Sequence, residues 1–111
     1  LLTCSIRLGG MSANCTVNKL NALTAFGNHV GLAFQVIDDI LDVTKTTKQL
    51  GKTAGKDQMT SKATYPAIVG LEKSRDIAKQ LTSKSFAALK TFRGKAKALE
   101  AIARYLLRRE N

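Results

Sequence analysis

The sequence FQVIDDILDV, residues 34–43, places three aspartates inside an otherwise apolar run. Residues 1–37 contain no Asp or Glu, and then Asp38, Asp39 and Asp42, three of the chain's eight acidic residues, follow close together. Charged side chains are rarely buried unless they are paired. The arrangement therefore raises the question of what compensates these three carboxylates.

Apolar residues on both sides of this stretch follow the spacing of a helix. From about residue 16 to residue 43 they advance in steps of three and four, which is the period of one helical face. The first row comprises Leu20, Leu23, Phe26, Val30, Phe34, Ile37 and Leu41, and a second row comprises Leu32, Val36 and Ile40. Because the helix is apolar on two faces near its end, we expect it at the centre of a helical bundle.

The aspartates have a defined spacing on this predicted helix. Asp38 and Asp42 are i and i+4, while Asp39 and Asp42 are i and i+3, so we expect all three on one side. Like charges at this spacing cost about 0.2–0.5 kcal/mol per pair, and an unpaired buried ion costs several kcal/mol more. With the helix ending at Val43, no Lys or Arg of the helix lies near the triplet.

A divalent cation would compensate this charge. Oxygen ligands favour Mg²⁺, which usually binds one or two carboxylates and keeps several waters. Substrate phosphate completes its octahedral coordination. We therefore predict Asp38, Asp39 and Asp42 as metal ligands. The alternative is an acidic last turn on a solvated helix, which the helix macrodipole disfavours.

The segment that follows, residues 44–64, is rich in Lys, Thr and Gly and predicts a long polar loop. We expect Lys52, Lys56 and Lys62 to fold back and to offer ammonium groups to the phosphate that the metal holds. The stretch GKTAGK is not a phosphate-binding P-loop. Its glycines are one residue too close, Asp57 stands where a hydroxyl residue is needed, and a helix rather than a strand precedes it.

The remaining segments also predict helices. Residues 1–8 have the pattern of a helix that Gly9 and Gly10 end. Pro66 is expected in the first turn of a helix whose apolar pattern continues through Ile68 and Leu81 and weakens towards Phe92. Gly94 is the predicted break before a last helix over residues 95–109, with its inward positions at Leu99, Ile102, Ala103 and Leu106. No segment shows strand alternation, so the fold class is all-α.

Composition limits the remaining possibilities. The 111 residues fit one domain, and a net charge of +10 suggests a polyanionic partner. Cys4 and Cys15 have no metal or redox spacing and are expected to be small buried residues. The sequence has no long apolar span and no leader pattern at its start, so we expect a cytoplasmic protein. The first residues read as the middle of a helix, which suggests a portion of a longer chain.

Four stretches resemble one family. GLAFQVIDDILDV, LGKTAGKD, SKATYPAIVGLEKS and ALEAIARYLLRREN are similar to the C-terminal part of the trans-polyprenyl diphosphate synthases, in particular the bacterial farnesyl and geranylgeranyl diphosphate synthases. The resemblance implies an isoprenoid-synthase-type helical bundle with two aspartate-rich motifs facing each other across a cavity. Residues 1–111 carry the second motif, and the portion with the first motif is expected to lie outside them.

The resemblance implies an activity and roles for individual residues. A Mg²⁺-dependent prenyltransferase joins an allylic diphosphate to isopentenyl diphosphate, and the complete protein is expected to be a homodimer. Asp38 resembles a ligand of Mg²⁺, with Asp39 and Asp42 supporting it directly or through water. Lys52 resembles the lysine that grips the allylic diphosphate, assisted by Lys56 or Lys62. The residues similar to those lining the prenyl cavity are Phe34 and Gln35.

Two alternatives belong to other classes. A noncatalytic helical subunit of a prenyl synthase would keep the fold, but it would have no need of three clustered carboxylates. A basic helical nucleic-acid binder should place its cations on a helix face, whereas many of these lysines lie in a loop beside an acidic triplet. The cations Arg104, Arg108 and Arg109 either suit a helix C-terminus or close over the diphosphates.

Overall fold

A computed structural model describes residues 1–48 and 64–108, with the backbone alone for residues 45–48. Within these ranges the regular structure is helical throughout, which confirms the all-α class. The elements are α1 (Leu2–Ser12), α2 (Val17–Lys48), α3 (Tyr65–Val69), α4 (Leu71–Ala88), a 3-10 helix (Leu89–Phe92) and α5 (Lys97–Leu107). The predicted loop over residues 44–64 was wrong for residues 44–48, which belong to α2, and residues 49–63 lie outside the described part.

The helix α2 is the centre of the bundle, as its two apolar rows predicted. It contacts α1, α3, α4, α5 and the 3-10 helix. Thr16 caps its start, because the Thr16 hydroxyl accepts the Lys19 N–H at 3.2 Å. The helix continues beyond the predicted end at Val43 to Lys48. Of the second apolar row, Val36 is buried and Leu32 is exposed.

Two glycines let α1 lie close against α2. A Cβ atom on Gly10 would lie 2.7 Å from Leu23 Cδ1, and one on Gly27 would lie 3.0 Å from Thr3 Cα. The prediction that Gly9 and Gly10 end the first helix was wrong, since α1 runs on to Ser12. Gly10 serves a helix contact instead of a helix end.

Two groups of buried residues lie along α2. The first, here called the carboxylate-end core, joins α2 to α4 and α5 through Ala33, Val36, Ile37, Ala78, Leu81 and Leu107. The second, here called the α1-end core, contains Phe26, Val30, Leu89, Ala96 and Ala103, with Leu2 and Ile6 of α1 packed against it. One end of α2 is thus enclosed by α1 and the 3-10 helix, and the other by α3 and α4.

The segment from Thr64 to Ala88 forms two helices instead of one. Pro66 lies in the first turn of α3, as predicted. Gly70 separates α3 from α4 with φ 91°, a backbone conformation that glycine adopts at low cost. This break was not predicted. Ile68 was predicted to belong to the apolar face but is 70% exposed. The break at Gly70 separates it from the apolar face of α4.

The last helix is shorter than predicted, and three of its four predicted inward residues, Leu99, Ala103 and Leu106, pack in or against the α1-end core. Arg93 and Gly94 both have positive φ, so the predicted break is confirmed. Ala103 is fully buried and Leu107 is buried, whereas Ile102 is 52% exposed. The prediction of Ile102 as an inward residue was wrong, since the helix presents Leu107, four residues after Ala103, to the core.

The cysteines do not behave as predicted. Cys4 is exposed on α1 and Cys15 is partly buried, and both are free thiols. Cys4 faces outward because the inner face of α1 is formed by Leu2, Ile6 and Gly10.

Candidate functional site

The stretch from Phe34 to Asp42 lies on the part of α2 that contacts α3 and α4. Phe34 and Leu41 pack against the carboxylate-end core, and Ile37 belongs to it. The apolar residues therefore turn the helix so that its three aspartates lie at the edge of the core.

Asp39 is the inward member of the triplet and is only 6% exposed. Its Oδ1 accepts a hydrogen bond from Gln35 Nε2 at 3.0 Å. Its Oδ2 accepts one from the backbone N–H of Tyr65 at 3.2 Å. The Asp39 carboxylate is thus bound to the start of α3, a contact that the helical spacing of the triplet did not predict.

The bond to Tyr65 completes the first turn of α3. Thr64 is the N-cap, and its hydroxyl accepts the Ala67 N–H at 3.3 Å. Pro66 has no N–H to satisfy, and Ile68 N–H donates to the Thr64 carbonyl at 3.1 Å. The remaining donor of this first turn is Tyr65 N–H, and Asp39 accepts it.

Asp38 and Asp42 lie nearer the solvent. Asp38 is partly buried and Asp42 is exposed. At i and i+4 they are neighbours on the helix surface, with Cβ atoms about 5–6 Å apart. A pair of carboxylates at this spacing can present oxygen atoms to the same solvent volume.

Residues 1–48 and 64–108 contain no group of three or more His, Cys, Asp or Glu side chains arranged to hold a metal ion. The turning of Asp39 into the protein leaves Asp38 and Asp42 as a pair. Two carboxylates are nevertheless what Mg²⁺ commonly takes from a protein, the rest of its octahedron coming from water and phosphate. The donor set of Asp38 and Asp42 is therefore compatible with Mg²⁺.

The longer α2 changes the charge argument that the sequence suggested. Because α2 continues to Lys48, Lys45 lies three residues after Asp42 on the same helix. Asp42 is also no longer in the last turn, where the macrodipole disfavours anions. The cost of the triplet is thus smaller than predicted, and Asp39 is compensated by hydrogen bonds.

The other predicted site residues divide into two groups. Phe34 is partly buried and packs against the carboxylate-end core, whereas Gln35 is exposed. Lys52, Lys56 and Lys62 lie outside the described residues. The roles predicted for all of these residues stay predictions.

Sequence reasoning missed Thr64 and the Tyr65 amide. A signal for Thr64 was present, since Thr followed two residues later by Pro is typical of an N-cap and first turn. The Tyr65 amide carries no such signal, because its acceptor lies 26 residues away in the sequence. Only the packing of α3 beside α2 brings them together.

Arg104 lies on α5. Its guanidinium lies 5.4 Å from the centre of the Phe86 ring and 4.0 Å from Glu100. The first contact joins α5 to α4 and the second lies within α5, and both favour the structural interpretation of this arginine.

None of the helices in the described ranges combines the length and the apolar character needed to cross a membrane.

A family model described as Polyprenyl synthetase matches residues 1–104. Geranylgeranyl pyrophosphate synthase 11, chloroplastic, of Arabidopsis thaliana is 45% identical over 112 aligned positions, which cover 100% of this chain and 31% of the relative. A geranylgeranyl pyrophosphate synthase, chloroplastic, of Catharanthus roseus is 43% identical, with the same coverage of 100% and 31%.

The fold is also similar to a solved structure. A protein from Marinomonas sp. MED121 that is assigned as a farnesyl-diphosphate synthase superposes with a TM-score of 0.76 at 30% identity. The match covers 96% of this chain and 34% of that one. The chain thus spans about a third of the length of the proteins that it matches.

Proposed function

Since this chain belongs to the polyprenyl synthetase family, we propose that the complete protein transfers an allylic prenyl group to isopentenyl diphosphate. The product would be a short prenyl diphosphate of farnesyl or geranylgeranyl length. The observation that carries the proposal is the pair Asp38 and Asp42 on the outward side of α2, beside Asp39, which is held in place by Gln35 and Tyr65. The 45% identity to a geranylgeranyl pyrophosphate synthase supports it.

In this proposal, Asp38 and Asp42 hold Mg²⁺ against the diphosphate of the allylic substrate. When bound, the ion neutralises the negative charge that develops on the departing diphosphate. Fixed charges that meet the leaving group make a large contribution to such reactions because they need little reorganisation. The helix supplies this rigidity, since α2 is packed on several sides.

Lysines supply further charge in the proposal. Lys52 binds the allylic diphosphate, with Lys56 or Lys62 assisting. Phe34 and Gln35 line the cavity near the reacting prenyl groups. The prenyl chain needs an apolar wall that excludes water from the carbocation, and Phe34 lies at the edge of the carboxylate-end core.

We further propose that residues 1–111 form the C-terminal portion of a single prenyl synthase domain that dimerises. A cytoplasmic location stays a prediction, because the plant relatives are named chloroplastic. Imaging of the complete protein with a fluorescent tag would distinguish the two compartments.

The proposed activity is tested by product formation. The complete protein, an allylic diphosphate, labelled isopentenyl diphosphate and Mg²⁺ should give a labelled product that chromatography identifies by length. Asp38→Asn should reduce kcat at least about 100-fold, because it removes a metal ligand. Asp76→Asn removes an exposed carboxylate on α4 and is the matched control.

A noncatalytic subunit is the second candidate, and the same assay decides between the two. For such a subunit, Asp38→Asn and Asp76→Asn would have the same small effect on the activity of the assembled enzyme. A large effect of Asp38→Asn alone supports the catalytic assignment.

A further inference from the structure

Asp39 is a buried carboxylate for which the proposed chemistry has no use. It is only 6% exposed, and both of its oxygens accept hydrogen bonds from within the chain. Buried charges are kept in proteins when hydrogen bonds or opposite charges compensate them. The two bonds satisfy that requirement without a metal ion.

The position of Asp39 does not suit a metal ligand. Mg²⁺ dehydrates reluctantly and usually keeps several waters, so its protein ligands must border a space that holds a hydrated ion. Asp38 is partly buried and Asp42 is exposed, so a hydrated ion can approach them more readily than it can approach Asp39. Asp39 points instead at the backbone of another helix.

The helix that Asp39 contacts depends on outside support. α3 has five residues and none of them is buried. A helix this short is not stable by itself. Its first turn is fixed by the Thr64 cap and by the bond from Tyr65 N–H to Asp39, and the Tyr65 ring packs against the carboxylate-end core.

We propose that Asp39 is a positioning residue that ties the start of α3 to the helix carrying Asp38 and Asp42, and that Asp39 itself is not a ligand of the metal ion those two residues would hold. Gln35 orients the Asp39 carboxylate by donating to Oδ1. The bond joins residues 39 and 65, so it ties together the helices that precede and follow residues 49–63 in the sequence. The role of this bond in catalysis rests on the proposed function, whereas the bond is observed independently of it.

The test compares Asp39→Asn, Asp39→Ala, Asp38→Asn and the control Asp76→Asn in the complete protein. Calorimetry measures Mg²⁺ affinity in the presence of inorganic pyrophosphate. Hydrogen exchange, resolved to single amides, measures the protection of the Tyr65 N–H. In Asp39→Asn, the amide oxygen of the new side chain can accept the Tyr65 N–H. Its NH₂ group can donate to the Gln35 amide oxygen once the Gln35 amide has rotated.

The proposal expects Asp39→Asn to keep Mg²⁺ affinity within about threefold, while Asp38→Asn lowers it at least about tenfold. It expects Asp39→Ala to speed exchange at Tyr65 about tenfold or more, since a hydrogen bond to a charged acceptor is lost. Asp38→Asn and Asp76→Asn should leave that exchange rate unchanged.

Two results would overturn the proposal. One is a loss of Mg²⁺ affinity in Asp39→Asn as large as that in Asp38→Asn, which would make Asp39 a ligand. The other is an unchanged exchange rate at Tyr65 in Asp39→Ala. If Asp38→Asn leaves Mg²⁺ affinity unchanged while Asp39→Ala speeds exchange, the proposed metal site fails and the positioning bond stands.

Discussion

The two ends of α2 are built from the same apolar spacing but hold their neighbours by different means. Towards α1, Phe26 and Val30 fill the α1-end core, and Gly27 lets the helices lie close. Towards α3, the contact also includes a buried charge, because Asp39 accepts the Tyr65 N–H. The α1 contact also carries side-chain hydrogen bonds, from Arg7 to Thr24 at 2.6 Å and from Thr3 to Asn28 at 2.8 Å, and both lie nearer the solvent than Asp39. Close packing with peripheral hydrogen bonds joins the first pair of helices, and a buried carboxylate joins the second.

This difference separates stability from function along one helix. Changes at the α1 end should alter the free energy of unfolding and leave the chemistry of the folded protein intact. Changes on the outward side of the other end should alter turnover and leave the free energy of unfolding nearly intact. Substitutions in the complete protein test this separation of stability from turnover.

The largest effect is expected for Asp38→Ala. It removes a proposed metal ligand and relieves repulsion with Asp42, so kcat should fall about 10³- to 10⁴-fold, or about 4–5.5 kcal/mol. The denaturation midpoint should change little. Steady-state kinetics at saturating Mg²⁺ and urea denaturation measure the two quantities, and turnover equal to that of the parent would refute the metal role.

Next is Phe26→Ala, at the opposite end of α2. Phe26 is 2% exposed, and truncation of a buried Phe costs about 3–5 kcal/mol of stability. Urea denaturation should show this loss, while kcat per folded molecule stays within about threefold of the parent. A large drop in kcat with unchanged stability would contradict the division between the two ends.

A smaller effect is expected for Lys52→Ala. Loss of one ammonium group from the allylic diphosphate should lower kcat/KM for the allylic substrate about 10- to 100-fold. Lys79→Ala, at an exposed position of α4, is the matched control. Equal kinetics in the two variants would make Lys52 a solvated residue without a role in the site.

The smallest effects come from two glycines of α2. Gly27→Ala should destabilise the fold by about 1–3 kcal/mol, because a Cβ would lie 3.0 Å from Thr3 Cα and Oγ1. A Cβ on Gly31 would meet no described atom of another element within 4 Å, so Gly31→Ala should stabilise by about 0.5–1 kcal/mol through helix propensity. Thermal melts of the two variants should therefore shift in opposite directions. An unchanged or raised melting temperature for Gly27→Ala would show that Gly27 is not needed for the helix contact.

The sequence predicted those features that depend on local spacing. Apolar periodicity identified α2, and Pro66 and Gly94 marked a helix start and a helix break. Gly10 was misread because a glycine that permits a close helix contact is the same residue type as one that ends a helix.

Features that depend on distant partners were beyond local reasoning. The triplet of aspartates was recognised as a site, but the inward turn of Asp39 depends on Tyr65, 26 residues away. Likewise, Leu107 replaces Ile102 in the core because the packing of α5 decides which of two apolar positions faces α2. Periodicity alone could not rank them.

The most direct measurement is anomalous diffraction from crystals of the complete protein grown with Mn²⁺, as a stand-in for Mg²⁺, and an allylic diphosphate analogue. The account predicts a Mn²⁺ peak within about 2.0–2.3 Å of carboxylate oxygens of Asp38 or Asp42, and Asp39 still bonded to Tyr65 N–H. Diphosphate bound with no Mn²⁺ beside Asp38 and Asp42, or Mn²⁺ coordinated by Asp39, would contradict it.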